Sequence, residues 1–177
     1  MHRRLCLWSG VTLIAAGTIV SAAGSLRIVP IVRDDNVVVS FELADAYTDE
    51  VRETIASGLR TTFTYDVELR MVVPAWVDRT IATAVITTSD QYDNLTRRHS
   101  LLRTVDGHVA EALVTEDDGV VTKWLTTLNL LPLCRTSKLD PSRDYYVRVS
   151  ARARPHGASL LGWATATTGQ AKFTFIP

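Results

Sequence analysis

Residues 59–73 constrain the fold more than any other segment. Phe63, Tyr65, Val67, Leu69 and Met71 alternate there with Thr62, Thr64, Asp66, Glu68 and Arg70. In a strand, successive side chains point to opposite faces, so this period of two predicts one buried face and one wet face. A strand running from about Leu59 to Val73 needs long neighbours to satisfy its backbone, so the chain is committed to a substantial sheet. Pro74 ends the strand, and Trp76 to Arg79 form the turn that follows.

The neighbours are visible on both sides. Val37, Val39, Phe41 and Leu43 share one face of an earlier strand. Ile81 to Thr88 is the return strand, broken by Gln91 to Asn94. Leu95 to Val105 and His108 to Thr115 are joined at Asp106-Gly107, a strong two-residue hairpin signal. Tyr145, Val147, Val149, Ala151 and Ala153 line one face of another long strand after the Asp140-Pro141-Ser142-Arg143 turn. Pro155-His156-Gly157 turns the chain again, and Lys172 to Ile176 closes it with a last strand. Frequent Thr and Val fit this reading, because β-branched side chains suit a pleated surface.

Two helices interrupt the strands. Thr48 is placed to cap the first, with Asp49 and Glu50 at the positive end of its dipole and Val51 and Ile55 one turn apart. Gly58 fits the residue just past its end. The second covers about Glu116 to Leu128, with Thr115 as cap, Asp118 in a capping-box position, and Val120, Val121, Trp124, Leu125 and Leu128 as its apolar stripe. The expected class is mainly β (α+β): a curved antiparallel meander or a β-sandwich-like sheet with two short covering helices.

The N-terminus reads differently. His2-Arg3-Arg4 precedes an uncharged apolar run from Leu5 to Val20, and Ser21-Ala22-Ala23-Gly24 follows. That is the order of a secretory signal, with cleavage expected after Ala22 or Ala23. The same run, Leu5 to Ala23, also nearly reaches the length of an uncleaved anchor. Residues 1–23 are therefore assigned as a signal peptide or N-terminal membrane anchor, 24–35 as a linker, and 36–177 as a single β-rich domain. The expected location is exported, either periplasmic or secreted, with any membrane attachment made through residues 5–23.

Charge and cysteine usage narrow the partners. The chain has 19 basic and 19 acidic residues, and without Arg3 and Arg4 the balance is 17 to 19. A weakly acidic domain argues against nucleic acid. Cys6 lies in the apolar run, which leaves Cys134 alone in the domain. Its setting beside Leu130-Leu131-Pro132-Leu133 points to burial.

Several of these residues together resemble a known family. Val38-Val39-Ser40-Phe41-Glu42-Leu43, Ser57-Gly58-Leu59 and Thr62-Phe63-Thr64-Tyr65-Asp66-Val67-Glu68-Leu69 are similar to the bacterial domain-of-unknown-function family numbered 4390. Trp76 with Asp78, Tyr92-Asp93 with Leu95, and Tyr145-Tyr146-Val147-Arg148-Val149 add to the likeness, which covers roughly residues 36–154. The resemblance implies an exported protein. It transfers no catalytic residues, because the family carries no assigned chemistry.

Tests for chemistry give little. His99 and His108 flank the hairpin on one strand pair at a separation too great to share a metal, and His156 lies in a Pro-Gly turn. Zinc-type Cys and His spacings, a G-x-S-x-G elbow and a glycine-rich phosphate loop are absent from the sequence. Asp66 and Glu68 share the wet face of the long strand, where Arg70 relieves them. Glu116-Asp117-Asp118 fits a helix N-terminus better than a calcium loop. Trp124 reads as core, and Trp76 as a core edge or a partner contact. Arg148, Arg152 and Arg154 stand on one strand face and are candidates for an anion or partner contact, with salt bridges to Asp66 and Glu68 as the plainer reading. Arg97, Arg98 and Arg103 suggest a similar surface. Trp163, in Leu160-Leu161-Gly162-Trp163, is the candidate exposed apolar contact.

The sequence thus predicts no catalytic, cofactor or metal site. The expected function is a non-enzymatic binding or accessory module of the cell envelope, whose partner is an envelope protein or a small ligand. The rival readings are a carrier of an apolar ligand in a β-lined cavity and an envelope hydrolase.

Overall fold

The computed structural model describes residues 25–155 and 165–174. In chain order its elements are β1 (Leu26–Arg33), β2 (Asn36–Leu43), α1 (Asp49–Ala56), β3 (Thr61–Met71), β4 (Arg79–Asp93), β5 (Arg98–Val105), β6 (His108–Thr115), α2 (Asp118–Thr126), β7 (Thr127–Arg135), β8 (Asp144–Pro155) and β9 (Thr165–Thr174). They build two antiparallel sheets, one of three strands in the order β1-β2-β7 and one of six in the order β6-β5-β4-β3-β8-β9. The class is mainly β with short helices, as the alternation predicts.

β3 is the spine. Phe63, Tyr65, Val67 and Leu69 are each at most 1% exposed, while the residues between them keep partial contact with water. Ala84 and Ile86 from β4 and Val147, Val149 and Ala151 from β8 extend that apolar face sideways. The small sheet closes over it with Val37, Val39, Phe41 and Leu43 of β2 and Leu128 and Leu131 of β7. Phe41 and Tyr65 meet between the sheets with ring centroids 4.8 Å apart. The two helices cover the half of the large sheet nearer β4 and β5, burying Val51 and Ile55 from α1 and Val121 and Leu125 from α2.

Local signals explain most boundaries. Thr48 caps α1 by accepting from the Val51 amide, and Gly58 follows at φ +83°, a conformation glycine adopts without strain. Asp106 and Gly107 both have positive φ, and Val105 pairs with His108, so the β5–β6 hairpin is the tight type with two left-handed residues.

Five readings need correction. The segment expected as a linker, 24–35, contains β1, which pairs along its whole length with β2. Pro30 masked it, but an edge strand tolerates a proline because its free side needs no amide. β1 also crosses β9 closely: a Cβ at Gly169 would come within 3.3 Å of Leu26 and Ile28 side-chain atoms. β4 does not break at Gln91 but runs to Asp93, and β5 starts at Arg98 rather than Leu95. Asp93 makes the turn between them, accepting from the Leu95 amide at 2.8 Å and the Thr96 hydroxyl at 2.9 Å.

The remaining three concern the second half of the chain. The cap of α2 is Asp117, which accepts from the amides of Gly119 and Val120, while Thr115 accepts from the Asp117 amide one step earlier. α2 ends at Thr126 and passes without a loop into β7, a strand hidden by Pro132. β7 is also an edge strand, and it slips register on both sides of that proline, once near Leu133 and once at Leu130, whose φ is +53°. The last strand is β9, starting at Thr165 rather than Lys172. Its Thr-rich start lacks large apolar side chains, so the periodicity there is weak.

Candidate functional site

Three groups of residues from separate elements converge where the helices meet the large sheet. β4 and β5 are adjacent, and Asp90 faces inward on β4 opposite Leu101. His99 lies two residues along on β5, so the two side chains are diagonal neighbours on one face. His99 Nδ1 is 2.8 Å from Asp90 Oδ2. Its other nitrogen, Nε2, is 3.4 Å from Oδ1 of Asp118 in the first turn of α2. Tyr92, directly opposite His99, tilts against the imidazole with centroids 4.6 Å apart. The histidine is thus hydrogen-bonded to Asp90 through Nδ1 and packed by Tyr92 on one ring face, with Asp118 at ion-pair distance from Nε2.

Asp90 is fully buried, and burial raises its pKa above the usual carboxylate range; the contacts with His99 and the Gln91 amide pull the other way. Burial and the nearby Asp118 and Asp90 charges raise the Tyr47 phenol as well. Perturbed groups gathered beside a cleft mark a functional-site candidate.

The cleft above this floor has a volume of about 470 Å³. Tyr47 and Arg52 form its α1 side, Tyr92 and Arg97 its strand side, and Glu116 and Asp118 its α2 side. Arg52 is tethered to Asp49 at 2.5 Å and lies over the Tyr47 ring. Glu116 is tethered to Arg98 at 2.9 Å. Arg97, at φ +57° in the β4–β5 turn, has no carboxylate partner among the described residues. The cleft therefore carries the unpaired guanidinium of Arg97 and the phenol of Tyr92 on its strand side, the phenol of Tyr47 on its α1 side, and on its α2 side the carboxylate of Asp118 beside the Arg98-paired Glu116.

The arginines singled out from the sequence lie elsewhere, on the outer face of the large sheet. Arg148 binds Glu68 at 2.6 Å, and Arg152 binds Asp66. Arg70 reaches Glu68 from the other side at 3.3 Å. Two of the three candidates are thus occupied by the carboxylates opposite them. Arg154 stands next to Arg152 over Thr62 and Thr64 and has no carboxylate partner among the described residues. Trp163 lies outside the described residues. Of the second arginine group, Arg98 is exposed, whereas Arg103 points inward. It stacks on Trp124 at 4.3 Å and donates to the carbonyls of Trp124 and Thr127, so it caps the C-terminus of α2. Trp124 itself is partly buried, and Trp76 is 82% exposed.

Sequence reasoning missed Asp90, Tyr47 and the pairing of His99. The available signal was the inward phase of β4: counting in twos from Ile86 reaches Thr88, Asp90 and Tyr92. Reading a break at Gln91 discarded that phase. Cys134 is buried as expected, and burial raises its thiol pKa.

The residues behind the family likeness are now explained as builders of the fold. Asp78 accepts from the Val73 amide and from the Tyr146 hydroxyl, tying the β3–β4 turn to β8. Asp93 organises the next turn, and Phe41 meets Tyr65 in the core. No curated protein and no solved structure matches the chain. A family model, Domain of unknown function (DUF4390), matches residues 24–158, about three quarters of the sequence, and takes in β1 as well as the segments read earlier. The chain belongs to that family.

Proposed function

We propose that this is an exported, non-enzymatic binding module, and that the cleft between Tyr47 and Tyr92 takes a peptide segment of an envelope partner carrying both signs of charge. The observation that carries this reading is the position of His99. Each of its ring nitrogens faces a carboxylate oxygen, Asp90 on one side and Asp118 on the other. A general base needs a nitrogen directed at the substrate. Here the imidazole is 4% exposed, with Nδ1 held by Asp90 on the neighbouring strand and Nε2 facing Asp118 of α2, which suits a rigid cleft floor.

The walls suit a peptide. Arg97 can receive a carboxylate, the exposed Asp118 a cation, and the two tyrosines offer rigid amphipathic surface at low entropic cost. The space between the sheets is filled by one continuous apolar cluster. That favours binding at the surface over carriage of an apolar molecule inside. Arg3-Arg4, the apolar run and the small residues at 21–24 support export.

Selection of a random displayed-peptide library on the purified protein tests the reading. Peptides with mixed charge are expected to enrich, and Arg97→Glu is expected to abolish their binding. Equal enrichment on the Arg97→Glu protein would refute it.

A further inference from the structure

The edges of the two sheets are treated unequally. β1 carries Pro30. β7 carries Pro132 and two register slips. β9 is crossed by β1 at Gly169 and bears Lys172. Each device discourages pairing with another chain. β6, the other edge of the large sheet, has neither proline nor lysine. Among the described residues nothing pairs with its outer side, and seven of its eight residues are exposed. Val109, Leu113 and Val114 are 67%, 42% and 60% exposed.

Its one irregularity is a bulge at Ala110, between the pairs Arg103–Glu111 and Thr104–Val109. Beyond it, Glu111 to Thr115 run in regular register with β5. The only carboxylate in that stretch, Glu111, is paired internally with Arg103 at 3.1 Å. The edge is therefore extended, apolar and neutralised from within.

We propose that β6 is a homodimer edge, pairing antiparallel with β6 of a second copy about a two-fold axis at Leu113. This is independent of the cleft reading. Charge and size select the partner and the register. Pairing about Leu113 sets Leu113 against its own copy, Ala112 against Val114, and Glu111 against Thr115. Small residues meet larger ones, and the two Glu111 side chains end four residues apart rather than opposite. Pairing about Glu111 would instead place like charges face to face, which is destabilising. A closed two-fold contact also leaves no further β6 edge to propagate a fibre. The interface is small, below about 1,200 Å² in total, so the dimer is reversible.

Sedimentation velocity over a concentration series tests this. The wild-type mass is expected to rise toward twice the monomer mass. Leu113→Lys and Leu113→Glu are each expected to stay monomeric while keeping the wild-type circular dichroism spectrum. Mixing the two variants is expected to restore the dimer, because opposite charges then meet at the axis. A wild-type protein that is monomeric throughout, a Leu113→Lys protein that dimerises as wild type does, or a mixture that fails to associate would each overturn the proposal.

Discussion

Asp90 and His99 meet on the inner face of adjacent strands, carboxylate oxygen to ring nitrogen at 2.8 Å, with Asp90 fully buried. A buried carboxylate left without its partner is costly, on the order of 3 kcal/mol. His99→Ala is therefore expected to lower the free energy of unfolding in urea by about that amount. The loss has a pH signature. The folded-state pKa of Asp90 is raised, so its contribution is full below the unfolded value and is lost as pH rises through the folded value. Removing His99 takes away a contact that lowers it. The deficit of His99→Ala is thus expected to grow as pH rises above about 4, the unperturbed Asp value. A deficit that is flat with pH would contradict this account.

The Tyr65 hydroxyl donates to the Leu125 carbonyl at 2.5 Å inside the core, and Thr88 reaches the same oxygen at 3.3 Å. That carbonyl belongs to the last turn of α2, where no helical amide remains to satisfy it. Tyr65→Phe is expected to cost about 1 kcal/mol in chemical denaturation. Adding Thr88→Val is expected to cost more than the sum of the single changes, because the carbonyl then has neither partner. Strict additivity would show that the carbonyl is satisfied in another way.

Cys134 sits in β7 at 8% exposure, and burial raises its thiol pKa. The thiolate is the reactive form, so both factors slow it. Ellman's reagent at neutral pH is expected to label it only at the rate of unfolding, and fully in guanidinium. Labelling of the native protein at the rate of a free thiol would show that β7 opens independently.

Asp78 is held below the usual carboxylate range by hydrogen bonds from the Val73 amide and the Tyr146 hydroxyl. A lowered folded value means stability that is present above the unfolded value and lost as pH falls through the folded one. Asp78→Asn is expected to flatten the acid limb of the pH–stability curve, as read by thermal melts. An unchanged acid limb would remove Asp78 as a contributor.

The sheet was legible because β3, β8 and the β5–β6 hairpin follow rules that act within a few residues. Alternation gave the buried faces, Asp106-Gly107 gave the turn, and Thr48 and Gly58 gave the ends of α1. β1 and β7 were not legible, because Pro30 and Pro132 look like strand breakers until the edge positions that tolerate them are known. The cleft was illegible for a related reason. His99 acquires meaning only beside Asp90 and Asp118, nine and nineteen positions away. That proximity follows from strand register and from the docking of α2, and neither is written in any local motif. The pairing of Arg148 and Arg152 with Glu68 and Asp66 was legible as the plainer reading of those arginines, since all four lie on wet faces of strands expected to be long.

The cleft is the proposed binding surface. The direct measurement is a ¹⁵N-resolved NMR titration of the purified protein with a mixed-charge peptide taken from the display selection. Shift changes are expected to concentrate at Tyr47, Arg52, Tyr92, Arg97 and Asp118, with none on the outer face at Thr64, Asp66 and Arg152. Changes centred on that outer face, with the cleft residues unmoved, would contradict it.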